Sequence, residues 1–266
     1  MVLVDDMVVR NQFKALGRGG MLRPPEARAT VGWEDWLGFE PDVQQGELLR
    51  GEVRRLVLNC TRQWGKSTIT AAKAVLRAQE RAGSLVLVVS PSARQSGEFL
   101  RKAAGFLHRM GMPARGDGDN EISLLFPNGS RLVGLPGTEA TVRGFSAVSL
   151  MLVDEAARVS DEMYKAVRPM LAVGDGDLWL MSTPFGKRGF FFWEEWAQGG
   201  EQWERLTAPA TECPRIGAKF LEEERASLGD RWFRQEYLCE FLEADDALFT
   251  REVVERAMSD EVKPLF

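Results

Sequence analysis

The apolar run Leu56-Val57-Leu58 passes within a few residues into Gly65-Lys66-Ser67, and a helix-compatible stretch follows. A strand that empties into this tripeptide and then into a helix builds a cradle of backbone N–H groups at a positive helix end. The lysine neutralises phosphate charge there, and the serine hydroxyl can hold a divalent cation. Thr61, Arg62, Gln63, Trp64, Gly65, Lys66, Ser67 and Thr68 therefore form a candidate phosphate-binding loop. Cys60 stands where the first glycine of such a loop usually lies, and Arg62 and Trp64 make this version bulky.

Such a loop needs a sheet to carry it, and the chain alternates accordingly. Strands are expected at 55–59, 85–90, 148–153 and 177–182, and helices at 66–82, 93–110, 160–170 and 189–198. Near-continuous apolar strands such as Leu85-Val86-Leu87-Val88-Val89 suit a parallel sheet covered on both faces. Segments 122–126 and 131–133 flank Pro127-Asn128-Gly129-Ser130, a hairpin in which Asn-Gly would supply positive φ angles. The expected fold class is α/β: a P-loop NTPase of the ASCE type, with a mainly parallel central sheet flanked by helices and a small C-terminal helical lid. Residues 1–31, with Arg10, Lys14, Arg18, Arg23 and Arg28 among glycines and prolines, read as a flexible arm. The core would span 32–208. Charged helical segments 217–228 and 230–242 would form a lid and linker within 209–250, and 251–266 would begin a linker onward.

Composition narrows the partners. The net charge of −5 excludes a global cationic field, so any nucleic-acid contact must use local patches. The three cysteines, Cys60, Cys213 and Cys239, form no CxxC pair, and the single histidine, His108, cannot complete a zinc site. A reduced, cytoplasmic compartment is the simple reading. No apolar run reaches membrane-spanning length, and residues 1–6 lack the pattern of a signal peptide.

Four further elements carry chemistry. The run Leu150-Met151-Leu152-Val153 ends in Asp154-Glu155, which places an aspartate to orient Mg²⁺ and a glutamate to accept a proton from an attacking water. Ser182 and Thr183, before Pro184, sit at a strand tip where hydroxyls can sense a terminal phosphate. Arg143, beside Gly144, can stabilise a transferring phosphoryl group in its own subunit or a neighbour's, and Arg62 competes for that role in cis. Arg101, Lys102 and Arg109 lie on the helix expected at 93–110 and are candidate contacts to DNA phosphates. Trp193, Trp196 and Trp203 read as packing residues rather than stacking platforms for bases.

Taken together, several segments resemble the ATPase domain of the large terminase subunit of tailed bacteriophages. They are 39–45, 62–67, 90–96, 142–144, 152–157, 181–186 and 234–241, in that order over about residues 33–250. The resemblance implies an ATP-hydrolysing motor that moves double-stranded viral DNA into a procapsid, in the cytoplasm of an infected bacterial host. It implies ATP and Mg²⁺ as ligands, with the portal protein, the small terminase subunit and a self-associated, pentameric ring as partners. By position, Gln45 or Gln44 would read the adenine edge, and Lys66 and Ser67 would bind phosphates and Mg²⁺. Asp154 would support the metal, and Glu155 would be the catalytic carboxylate. Ser182 and Thr183 would couple hydrolysis to movement, and Arg143 would act across a subunit interface. The arginine-bearing phosphate loop is usual in that family. Its ribonuclease-H-like nuclease, with clustered carboxylates, has no evident counterpart here, so DNA cleavage is not expected of this chain.

Overall fold

The computed structural model describes residues 33–136 and 144–243, together with residue 257. Short helices α1 (Trp33–Leu37) and α2 (Val43–Arg50) precede strand β1 (Arg55–Cys60), helix α3 (Lys66–Glu80) and strand β2 (Leu85–Ser90). Helix α4 (Ala93–Arg109), the hairpin β3 (Ser123–Leu125) and β4 (Arg131–Pro136), and strand β5 (Val148–Asp154) follow. Then come helix α5 (Asp161–Val167), strand β6 (Asp177–Ser182), a π-helix at Phe191–Ala197, strand β7 (Glu204–Ala208), and helices α6 (Ala218–Leu228) and α7 (Asp230–Glu236). Among the described residues seven strands form one sheet in the order β3-β4-β2-β5-β6-β1-β7, in which the β3–β4 pair is antiparallel and the other pairs are parallel.

Both faces of the sheet are buried, which explains why its strands read as continuous apolar runs. Leu56, Leu58, Val86, Val88, Leu150 and Leu152 pack on one side against α1 to α4, where Ile69, Val75, Phe99 and Phe106 meet them. The intervening residues, Val57, Leu87, Val89, Met151 and Val153, pack on the other side with Met163, Tyr164, Phe190 and Phe191. Each strand thus obeys the two-residue alternation of a pleat, but neither face meets water. The parallel register sets Asn59 beside Ser182 and Asp154 beside Met181. The C-terminal ends of β1, β5 and β6 therefore meet at one edge, where open α/β sheets bind ligands. Strand β6 stands between the strand that leads to Lys66 and the strand that ends in Asp154.

Several elements differ from expectation for local reasons. The helix expected at 160–170 is divided: Ser160 caps α5 through the Met163 N–H, and Pro169 turns Arg168–Leu171 into a 3₁₀ segment. The segment expected at 189–198 is a π-helix rather than an α-helix. Arg205 donates to the carbonyls of Trp196 at 2.8 Å and Glu195 at 3.0 Å at its end. In the hairpin only Gly129 has positive φ, at 80°, and not Asn128. Its N–H donates to the Phe126 carbonyl, which closes the turn ahead of the left-handed glycine. Strand β7 and helices α1 and α2 were not expected. β7 is a largely exposed edge strand that joins β1 by backbone bonds, so it carries no apolar stripe. After β7, helices α6 and α7 enclose a small cluster of Ala210, Leu221 and Phe233. Among the described residues, no helix is long and apolar enough to cross a membrane.

Two glycines give opposite predictions. A Cβ on Gly176 would sit 2.0 Å from the Val148 backbone oxygen and 2.9 Å from Leu171 Cδ2, just before β6. Gly176→Ala must push β6 from β5, and a loss of about 1–3 kcal/mol in denaturant unfolding is expected. A Cβ on Gly105, within α4, meets nothing within 4 Å. Gly105→Ala should instead stabilise the protein by about 0.5–1 kcal/mol.

Candidate nucleotide site

The phosphate loop leaves β1 at Cys60 and closes on two left-handed residues, Gln63 at φ 64° and Gly65 at φ 96°. Helix α3 starts at Lys66, and the Thr68 and Ile69 N–H groups both donate to the Gly65 carbonyl. The bulk of Trp64 does not crowd the loop, because its ring points into the core and is 2% exposed. Its carbonyl accepts Gln45 Nε2 at 2.7 Å and an Arg215 guanidinium N–H at 2.6 Å. Burial pushes the Cys60 thiol up to about 12, so it remains a neutral packing group.

Asp154 ends β5, and its Oδ2 accepts the Ser67 hydroxyl at 2.9 Å. Glu155 follows in a left-handed conformation, φ 53°, which a non-glycine residue keeps only where its surroundings hold it. That turn aims its carboxylate back at the loop. Lys66 Nζ lies 2.9 Å from Glu155 Oε1, and Arg158 lies 3.2 Å from Glu155 Oε2. Burial raises the Asp154 pKa, opposed by Lys66 and by the Ser67 hydrogen bond. Burial disfavours the Lys66 cation, but the acids facing it more than compensate, so its pKa is raised and it stays charged.

A cleft of about 400 Å³ opens above these groups. Arg62, Gln63, Gly65, Lys66, Ser67 and Thr68 form one wall. Gln95 and Lys102 enter from α4, two helical turns apart, and Glu155 and Arg158 face them. Four cations and one carboxylate thus line the cleft in a chain of net charge −5, which is a local field suited to a polyanion.

The other residues singled out from the sequence divide. Thr61 is a correction: its N–H donates to the Ala208 carbonyl and its hydroxyl to the Glu236 carbonyl, so it ties the loop to the C-terminal helices and does not line the cleft. Gln45 is buried and Gln44 is half-buried; neither lines the cleft. Gln45 forms a capping box with Asp42 and supports the loop from behind. Ser182 donates to the Thr183 carbonyl, and Thr183 donates at 3.0 Å to the Cys60 carbonyl. Thr183 therefore braces the tip of β6 to the root of the loop, the Ser182 bond is local, and neither hydroxyl lines the cleft. Arg101, Lys102 and Arg109 do not make one basic face. Arg101 pairs with Glu98, Lys102 lines the cleft, and Arg109 donates to the Leu37 carbonyl against α1. Arg143 lies outside the described residues.

Four residues of the site were missed. Arg158 stands three positions after Glu155, where a 3₁₀ turn carries it back over the carboxylate. Gln95, Arg215 and Glu236 lie far away in sequence. Glu236, on α7 and 5% exposed, sits 2.7 Å from Arg62 and 3.8 Å from Arg158.

Comparison with known proteins decides the family. The profile of "Terminase large subunit, T4likevirus-type, N-terminal" matches residues 57–256 of 266. This chain belongs to the large terminase subunit family. It is 26% identical to the large terminase subunit of Thermus virus P23-45 over 248 residues, covering 80% of this chain and 51% of that protein. It is also 26% identical to the large terminase subunit of Escherichia phage T5, covering 85% and 52%. The chain thus spans about half the length of these curated relatives. In fold it is similar to the large terminase ATPase domain of Thermus phage P74-26, with a TM-score of 0.65 at 22% identity, over 78% of this chain and 96% of that one. The large terminase of the thermophilic bacteriophage D6E, solved with ATP-γ-S, gives a TM-score of 0.63 at 13% identity over 75% and 52%. The α/β sheet, with its flanking helices, is the large terminase ATPase fold.

Proposed function

We propose that this large terminase chain hydrolyses ATP and uses the energy to translocate double-stranded viral DNA into a procapsid. One observation carries the proposal: the acid pair ending β5 touches the phosphate loop directly, Asp154 through Ser67 and Glu155 through Lys66, both at 2.9 Å. A solved relative bound to ATP-γ-S supports the choice of nucleotide.

The triphosphate would lie along the loop, with its charge met by Lys66 and the N-terminal amides of α3. Lys66 would then exchange Glu155 for phosphate. Freed on that side, Glu155 would orient a water and take its proton. Ser67 Oγ and Asp154 Oδ2 converge as a hydroxyl and a carboxylate, the hard oxygen donors that suit Mg²⁺ held mainly by substrate phosphates and water. Bound there, Mg²⁺ supplies charge neutralisation on the phosphate oxygens. Arg62 would serve as an arginine in cis, or Arg143 would be delivered in trans. Gln45 or Gln44 would read the adenine edge only if the segment before β1 shifted toward the cleft, since Gln45 now holds the Trp64 carbonyl from behind the loop. Thr183, bonded to the Cys60 carbonyl, would transmit a change in the loop to β6.

Helices α6 and α7 would act as the lid within 209–250. A self-associated ring, pentameric by analogy, would work with the portal protein and the small terminase subunit in the host cytoplasm. Phosphate release from Mg-ATP by the 266-residue chain tests the enzymatic core. Release is expected from the wild type and not from Lys66→Ala. Equal release from both would refute it.

A further inference from the structure

We propose that Arg158 is a positioning residue that holds the Glu155 carboxylate at its working angle and ties it to β6 and α7. The inference rests on the ATPase reading above. Glu155 is gripped on both oxygens, by Lys66 at Oε1 and by Arg158 at Oε2. These two cations have different fates when a triphosphate enters. Lys66 belongs to the phosphate loop and is drawn to the phosphates, and this leaves Arg158 as the group that keeps the carboxylate from rotating away. Arg158 is built to stay. Its guanidinium lies 4.8 Å from the centre of the Phe185 ring, and Glu236 stands 3.8 Å from its other nitrogen. Its side chain is one-quarter exposed, so these contacts are only partly screened by water.

Those anchors give the residue a second consequence. Phe185 follows the Ser182-Thr183 tip of β6, and Glu236 is on α7. A shift of either element moves the guanidinium and therefore the carboxylate. Oε1, released by Lys66, accepts the proton of the attacking water, while Oε2 stays hydrogen-bonded to Arg158. Arg158 itself neither gives nor takes a proton.

The test is steady-state and single-turnover hydrolysis of Mg-ATP by the full chain, with calorimetric ADP affinity beside it. Arg158→Ala should lower kcat about 10- to 100-fold, the scale of an approximately 1 Å misplacement, with ADP affinity unchanged. Arg158→Lys should restore part of kcat. On a Glu155→Gln background, Arg158→Ala should cause no further loss, because the residue acts through the carboxylate. Arg188→Ala, on the same Phe185 ring but with no contact to Glu155, should behave as wild type. The proposal is overturned by a kcat of Arg158→Ala equal to wild type, or by kcat and ADP affinity falling together in both Arg158 variants. It is equally overturned by an additive loss in the double variant, which would put Arg158 on the phosphates. Absence of hydrolysis by the wild type would instead remove the ATPase reading itself.

Discussion

Glu155→Ala is expected to reduce turnover by about 10²–10⁴-fold, the usual contribution of a positioned general base, while nucleotide still binds. The sign of the binding change can be derived. In the structure Lys66 is paired with Glu155, so the carboxylate competes with phosphate for the ammonium. Alanine removes the competitor and leaves Lys66 and Lys102 facing the cleft without Glu155, while Arg62 and Arg158 keep Glu236. ADP and ATP should therefore bind at least as tightly as to wild type, with all of the loss in kcat. Equilibrium titration and single-turnover phosphate release separate the two quantities. A variant that binds nucleotide weakly, or keeps turnover near wild type, would contradict the role given to Glu155. Asp154→Ala should differ, because it removes the acceptor of the Ser67 hydroxyl and one candidate Mg²⁺ ligand together.

How far the sequence foretold this arrangement varied with the physics of each part. The buried strands were legible because burial on both faces forces runs such as Leu85-Val86-Leu87-Val88-Val89. The loop and the Asp154-Glu155 pair were legible because phosphate chemistry requires glycine, lysine and acid at strand ends. Strand β7 was not, since Glu204-Arg205-Leu206-Thr207-Ala208 joins the sheet by its backbone and leaves most side chains in water. Long-range side-chain partners were also hidden. Nothing near Trp64 in sequence indicates that Arg215 caps its carbonyl, or that Glu236 faces both Arg62 and Arg158. Lys102 shows the limit of reading charge along a helix. It is adjacent to Arg101, yet the 100° turn between them puts one beside the phosphate loop and the other in solvent with Glu98.

The largest loss of stability should come from the opposite edge of the sheet. Asp177, at the start of β6, and Arg77, on α3, are 7% and 4% exposed and approach to 2.5 Å. Arg77 also donates to the Ser149 carbonyl at 3.0 Å, so one guanidinium joins α3, β5 and β6 below the cleft. Attraction in such a pair only roughly offsets the cost of taking both charges from water, so the pair as a unit adds little. Breaking it is different. Asp177→Ala leaves the Arg77 cation buried without its carboxylate, and Arg54, the other cation that faced that carboxylate at 3.7 Å, cannot neutralise it. Unfolding free energy should fall by about 3–5 kcal/mol. Replacing both partners, as Arg77→Met with Asp177→Leu, removes the stranded charge and should recover most of that loss. Because the pair lies at the strand ends remote from Glu155, ADP affinity measured below the unfolding transition should be unchanged in both variants. Denaturant midpoints for the single and double variants decide the matter. A loss below about 1 kcal/mol in Asp177→Ala, the level of an exposed pair, would show that water reaches Arg77 and that α3 is not anchored to the sheet by this contact.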